Sequence, residues 1–196
     1  MKNPNKRVIP TLCIGMGVCL LLAAAVVLVV RQYTIHTSTQ TAQSCVETIC
    51  ALTPEPQGAV LEERRDNTMS VLSVDGTDFV GLLELPRYDS VLPVGAQWGD
   101  SSKYPCRFGG SIYDRTMQIG ATSQKGQYDF YRDLSVGDTA IFTDVEGNRY
   151  TYTITDIHYA QHADQAALTR KAAALTVFIK NVYAFEYVIL SCNVTA

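Results

Sequence analysis

The sequence predicts a mainly β domain, an antiparallel barrel or sandwich with a few short helices, carried behind an N-terminal transmembrane helix. Three observations predict it. One uncharged apolar run stands near the N-terminus, short apolar runs punctuated by Gly, Pro and Asp fill the second half, and two of those runs flank a turn sequence in the pattern of a hairpin. A chain of 196 residues with 47% hydrophobic and 18% charged residues has the balance of a globular protein, which excludes a disordered or fibrous class.

The uncharged run covers residues 8–30, opening on Val8 and closing on Val30. Its 23 residues exceed the roughly 20 that a helix needs to cross a bilayer core. Ala23, Ala24 and Ala25 resemble a signal-cleavage site, but the run stays apolar through Val30, well past the roughly 7–15 residues of a cleaved signal's core, so a retained anchor is the reading. Lys2, Lys6 and Arg7 precede the run and only Arg31 closely follows it. That asymmetry places residues 1–7 in the cytoplasm and everything beyond residue 30 outside. After Arg31 the chain holds twelve basic against nineteen acidic residues, a balance of −7. So acidic a domain has no electrostatic footprint for nucleic acid.

Residues 31–77 are rich in Thr, Ser, Gln and Glu, contain Pro54 and Pro56, and read as an extracytoplasmic stalk. Glu62-Glu63-Arg64-Arg65 reads as a solvated charge run. Cys45 and Cys50 lie here, either closing a local disulfide or remaining unpaired. The β domain then spans 78–196. Residues 79–85 form an apolar run that Pro86 ends, and 91–94 and 116–119 give two further strands. Residues 128–134 carry aromatic and apolar residues at helical spacing before the turn Ser135-Val136-Gly137-Asp138. Residues 139–143 and 150–154 alternate in strand fashion around Asp144-Val145-Glu146-Gly147-Asn148, a β-hairpin signature. The Ala-rich stretch 163–173 reads as a helix, and 175–179 and 187–190 as two closing, central strands. The six cysteines include no CxxC pair, so no metal site is expected, and no cofactor motif is present.

The order of these segments resembles the sortases, membrane-anchored cysteine transpeptidases of the Gram-positive cell wall. Gly81-Leu82-Leu83-Glu84-Leu85-Pro86 with Val91-Leu92-Pro93-Val94 resembles the family's opening strands. Tyr104-Pro105-Cys106-Arg107-Phe108-Gly109-Gly110-Ser111 is similar to the stretch before its histidine, and Asp133-Leu134-Ser135-Val136-Gly137-Asp138 to its L-x-x-G-D segment. The resemblance covers about residues 79–192 and implies a closed antiparallel β-barrel.

It also implies chemistry that this chain lacks. In the family a cysteine thiolate attacks the carbonyl of a sorting signal, a histidine moves protons and an arginine stabilises the oxyanion. Met117-Gln118-Ile119-Gly120 leads here to Ala121 where the histidine would stand. Leu175-Thr176-Val177-Phe178-Ile179 leads to Lys180 where the cysteine would stand, and the arginine position holds Tyr187. The resemblance therefore implies a pseudoenzyme that binds a peptide, a pilin-type protein or an active sortase at the envelope. Two alternatives stand beside it: an active transpeptidase or peptidase using Cys192, and a structural envelope spacer. Cys192 ends the run Val188-Ile189-Leu190-Ser191, but His158 and His162 follow the hairpin rather than the Gly120 strand. Cys106 and Cys192 form a second candidate disulfide, with two separate buried thiols as the alternative. Cys13 and Cys19 read as apolar filler of the span. If the three groove positions converge, the Lys180 ammonium would reach the groove mouth or pair with Asp156, Asp164 or Glu186.

Overall fold

The structure, a computed structural model, describes residues 5–55, 57–58, 67–99, 101, 103–124, 126–169, 172–182, 184 and 186–195. The chain divides into two compact units, one through Thr37 and one from Ser38 onward. Helix α1 runs over Asn5–Leu52, and the strands follow as β1 Gln57–Gly58, β2 Leu72–Val74, β3 Thr77–Leu85, β4 Ser90–Gly95, β5 Cys106–Gly109, β6 Met117–Thr122, β7 Thr139–Asp144, β8 Asn148–Ala160, β9 Leu175–Asn181 and β10 Glu186–Val194, with the short helix α2 at Gln165–Leu168. From Met16 onward α1 is long and apolar enough to cross a membrane. Cys13 and the charge run 62–65 lie outside the residues whose side chains are described.

α1 extends far past the apolar run, so the first part of the expected stalk is helical. The reason is a short amphipathic period hidden among polar residues. Ala42, Cys45 and Ile49 recur every three or four positions and are buried. Cys45 and Ile49, with Val46 partly covered beside them, pack on Val74, Phe79 and Leu82 of the β domain. The same geometry removes the expected Cys45–Cys50 disulfide. Five residues apart on a helix, the two side chains leave the axis in widely different directions, and both thiols are free, one buried and one exposed.

Eight strands close a barrel in the order β8-β10-β9-β6-β5-β4-β3-β7, with β7 pairing back to β8; β1 and β2 are appended at β8 and β3. Most neighbours are antiparallel, as expected, but β6 and β9 run parallel over Met117–Thr122 and Leu175–Lys180, and β4 and β5 pair in parallel at Gly95 and Cys106. Alternation along each strand fills the interior with Val80, Leu83, Phe142, Ile154, Val177 and Leu190, among others. Gly81 is required where β3 pairs with both β4 and β7. Its φ is 154°, and a Cβ there would lie 2.1 Å from the Thr143 carbonyl oxygen.

The hairpin forms as the sequence predicts. Its turn is tied by the buried Asp144 carboxylate, which accepts the N–H groups of Glu146 at 3.0 Å and Asn148 at 2.8 Å and the Asn148 side-chain amide at 2.9 Å. The two helical expectations fare differently. Residues 128–134 form turns, bonded from Tyr131 N–H to Tyr128 carbonyl and from Asp133 N–H to Phe130 carbonyl. Tyr128 has φ 39°, outside the helical region, and its ring is fully buried in the core. Within 163–173 only α2 is helical among the described residues, capped by Asp164 Oδ1 accepting the Ala167 N–H at 2.9 Å.

Asp138 ties the 86–88 turn to its own turn, 135–138. Its carboxylate accepts Arg87 Nη1 at 2.6 Å, the Tyr88 hydroxyl at 2.7 Å and the Ser135 N–H at 2.8 Å. Burial alone would push its pKa up, but these donors outweigh burial and hold it below the ordinary carboxylate value. We predict that Asp138→Ala costs about 1.5–3 kcal/mol, the range for hydrogen bonds to a charged group. The native value is depressed, so this stabilisation is present above the unfolded value of about 4 and is lost as pH falls through the lower folded value. Thermal unfolding in detergent, followed by circular dichroism from pH 7 to pH 3, should show the wild-type advantage over Asp138→Ala shrinking at the acid end.

Candidate functional site on the outer face of β6, β9 and β10

Register decides which of the predicted site residues meet. Lys180 pairs with Thr122 on its β6 side and with Tyr187 on its β10 side. Ala121 pairs with Ile179, one step earlier. Because successive strand residues face opposite ways, Lys180 and Tyr187 share the outer face, whereas Ala121 is buried with Ile179 in the barrel interior. The three positions are therefore close along the backbone, but only two present side chains to one surface.

The outer surface beside Lys180 is aromatic. Phe178, two residues back along β9, is buried beneath Trp98 and Phe108, whose ring centroids lie 5.6 and 5.3 Å from its own; Trp98 and Phe108 meet edge to face at 5.2 Å. Tyr187 continues the patch, 6.4 Å from Phe178. Trp98 and Phe108 remain 49% and 43% exposed, so each offers a free ring surface to a ligand. Trp98 reaches this position because Gly120 lies beneath it. A Cβ at Gly120 would come within 2.2 Å of Trp98 Cζ3 and 2.6 Å of Phe178 Cζ. Ser101 Oγ lies 3.2 Å from Thr122 Oγ1, tying the same segment to β6 one step nearer Lys180. The sequence reading missed Trp98 and Phe108: Trp98 lies outside the strands, and Phe108, on β5, turns its side chain away from the core.

Lys180 is exposed and has no ion-pair partner among the described residues. The three acids expected near it are engaged elsewhere. Asp156 Oδ2 lies 3.4 Å from His158 Nδ1, Asp164 caps α2, and Glu186 accepts the amide of the buried Asn181 at 3.2 Å. His158 is held against α2, with Nε2 3.2 Å from the Ala167 carbonyl oxygen, opposite Ile189 on β10 rather than beside Lys180. His162 is exposed beyond the end of β8.

Cys192, the alternative nucleophile, lies on β10 inside the barrel. Its thiol is fully buried in the barrel interior, and burial pushes its pKa up to about 12. A thiolate there would have no solvent to stabilise it. Its thiol is free, which also removes the Cys106–Cys192 disulfide. Two strands, β6 and β9, stand between β5 and β10, so about 14 Å of sheet separates the pair at 4.7–4.9 Å per strand.

No family model and no curated protein matches this sequence. Solved structures do. Sortase C1 from Streptococcus agalactiae superposes with a TM-score of 0.53 at 15% identity, over 63% of this chain and 71% of that one. Sortase A from Corynebacterium diphtheriae superposes with a TM-score of 0.53 at 11% identity, over 83% of this chain and 84% of that one. The barrel thus has the sortase fold, as the order of sequence segments led us to expect. It is a sortase-fold domain in a chain whose N-terminal helix is apolar and long enough to span a bilayer.

Two outcomes follow from this geometry. In the native protein Cys192 should resist a thiol-reactive probe at pH 8 and react fully once denatured, as read by peptide mass mapping; native labelling at the rate of an exposed thiol would contradict the interior placement. Gly120→Ala should displace the Trp98 ring and red-shift its emission, and because Trp98 is the sole tryptophan the signal is unambiguous.

Proposed function

We propose that this chain is a membrane-anchored, non-catalytic sortase-fold protein that binds a peptide or protein partner at the cell envelope. The observation that carries the reading is the end of β9, where Lys180 stands between Thr122 and Tyr187 on the exposed side of the sheet. Sortase chemistry places a thiolate, a proton carrier and a cation together. This surface offers an ammonium, a hydroxyl and a phenol, while Ala121 points into the core. A lysine side chain there is no nucleophile comparable to a cysteine thiolate. The solved neighbours named above are sortases, and a peptide-recognising face is what the shared fold would offer without the reacting groups.

The anchor is the uncharged run 8–30. The three cations before it and the single one after support a cytoplasmic N-terminus and an external barrel. The test is direct. Detergent-solubilised protein incubated with an LPxTG-type peptide should show no acyl adduct by mass spectrometry and no transfer to an amine. Lys180→Cys alone should remain inactive, since residue 121 supplies no base and residue 187 no cation. An acyl adduct on the wild-type protein would overturn the reading.

A further inference from the structure

Lys180 is an exposed cation in an acidic domain, and it is joined on one continuous face to two half-exposed rings that rest on a third. Exposed large aromatic side chains carry a cost in water unless something covers them, and an ammonium at their edge, with no ion-pair partner among the described residues, sets the charge of whatever does. Among the described residues, Glu186 beside it does not compete, because it accepts the amide of the buried Asn181. β6 and β9 are interior strands of the closed barrel, so a ligand cannot add to their edges and must lie across their outer face.

We propose that this face recognises an extended peptide segment carrying an acidic side chain for Lys180 and, two residues away, a flat apolar side chain for the Trp98–Phe108 ledge. The inference rests on the peptide-binding reading above and specifies its ligand. The spacing comes from the sheet. Phe178 and Lys180 are two residues apart on one face of β9, about 6.8 Å at 3.4 Å per residue, and Gly120 and Thr122 repeat the interval on β6. An extended ligand presents the same interval between positions i and i+2, whereas residues i and i+1 point to opposite sides. The carboxylate belongs to a side chain, because the segment passes along the face with chain continuing at both ends.

Trp98, the sole tryptophan, lies in the site and reports directly on occupancy. Full-length protein in detergent would be titrated with end-capped pentapeptides, Gly-Glu-Thr-Phe-Gly and its reverse, against Gly-Thr-Glu-Phe-Gly, the Lys-for-Glu versions and a Gln-for-Glu version, with calorimetry beside the emission change. We expect the i, i+2 acidic peptides to bind best and to weaken as salt rises. Lys180→Glu should reduce their affinity about five- to tenfold and improve that of the Lys versions, the range expected for an exposed pair plus the new repulsion. Phe108→Ala should weaken acidic and basic peptides alike. Binding that ignores both the charge at 180 and the spacing would overturn this assignment while leaving peptide recognition intact. Failure of every peptide in the set, by emission and by calorimetry, would overturn both.

Discussion

Parallel pairing of β6 with β9 is the constraint on which the site depends. The two strands lie more than fifty residues apart in sequence, and only their register brings Gly120 beside Phe178 and Thr122 beside Lys180. A slip of one residue would turn Lys180 into the barrel and Ile179 out of it, exchanging a buried aliphatic for a charge at a cost of several kcal/mol. The apolar pattern of β9 therefore fixes the position of the lysine, and the lysine fixes the character of the surface.

The rest of the molecule serves to hold that register. The hairpin of β7 and β8, tied by Asp144, closes the barrel against β3, and β8 carries β10 into place beside β9. Asp138 fastens the 86–88 turn to the start of the hairpin through Arg87 and Tyr88. On the outside, α2 lays Leu168 over Ile189 and Phe178, so the floor of the aromatic patch is packed from its far side as well. Gly120 is the one position on β6 where absence of a side chain is essential, because the Trp98 ring occupies that space.

Sequence pattern revealed most of the barrel, because strands buried on one side announce themselves through alternation and turn chemistry. Gly147 and Asn148 marked the hairpin, and Pro86 marked the end of β3. It failed where local signal and tertiary context diverge. The period of Ala42, Cys45 and Ile49 is only three residues deep in a polar stretch and becomes legible once Phe79 and Leu82 are seen beneath it. Residues 128–134 have helical spacing, yet the buried Tyr128 takes a positive φ that no helix admits. At the site, segment order put Lys180 and Tyr187 together, and the two are register partners on β9 and β10. Segment order put Ala121 on the same patch, but the register turns it into the core beside Ile179, and register is a property of the sheet that a single strand's sequence does not carry. Trp98 and Phe108 lie outside any core-facing pattern, so their meeting over Gly120 had no sequence signal beyond the glycine itself.

The register of β6 against β9 can be measured by cross-linking. Paired Cα atoms in adjacent strands lie about 4.8 Å apart, within the range a disulfide spans. Thr122→Cys with Lys180→Cys should oxidise to a 122–180 bridge, identified by peptide mass mapping under native conditions. Ala121→Cys with Lys180→Cys should not, because those two side chains leave opposite faces of the sheet. A bridge formed by the second pair and not by the first would contradict the register, and with it the placement of Lys180 on the exposed face between Thr122 and Tyr187.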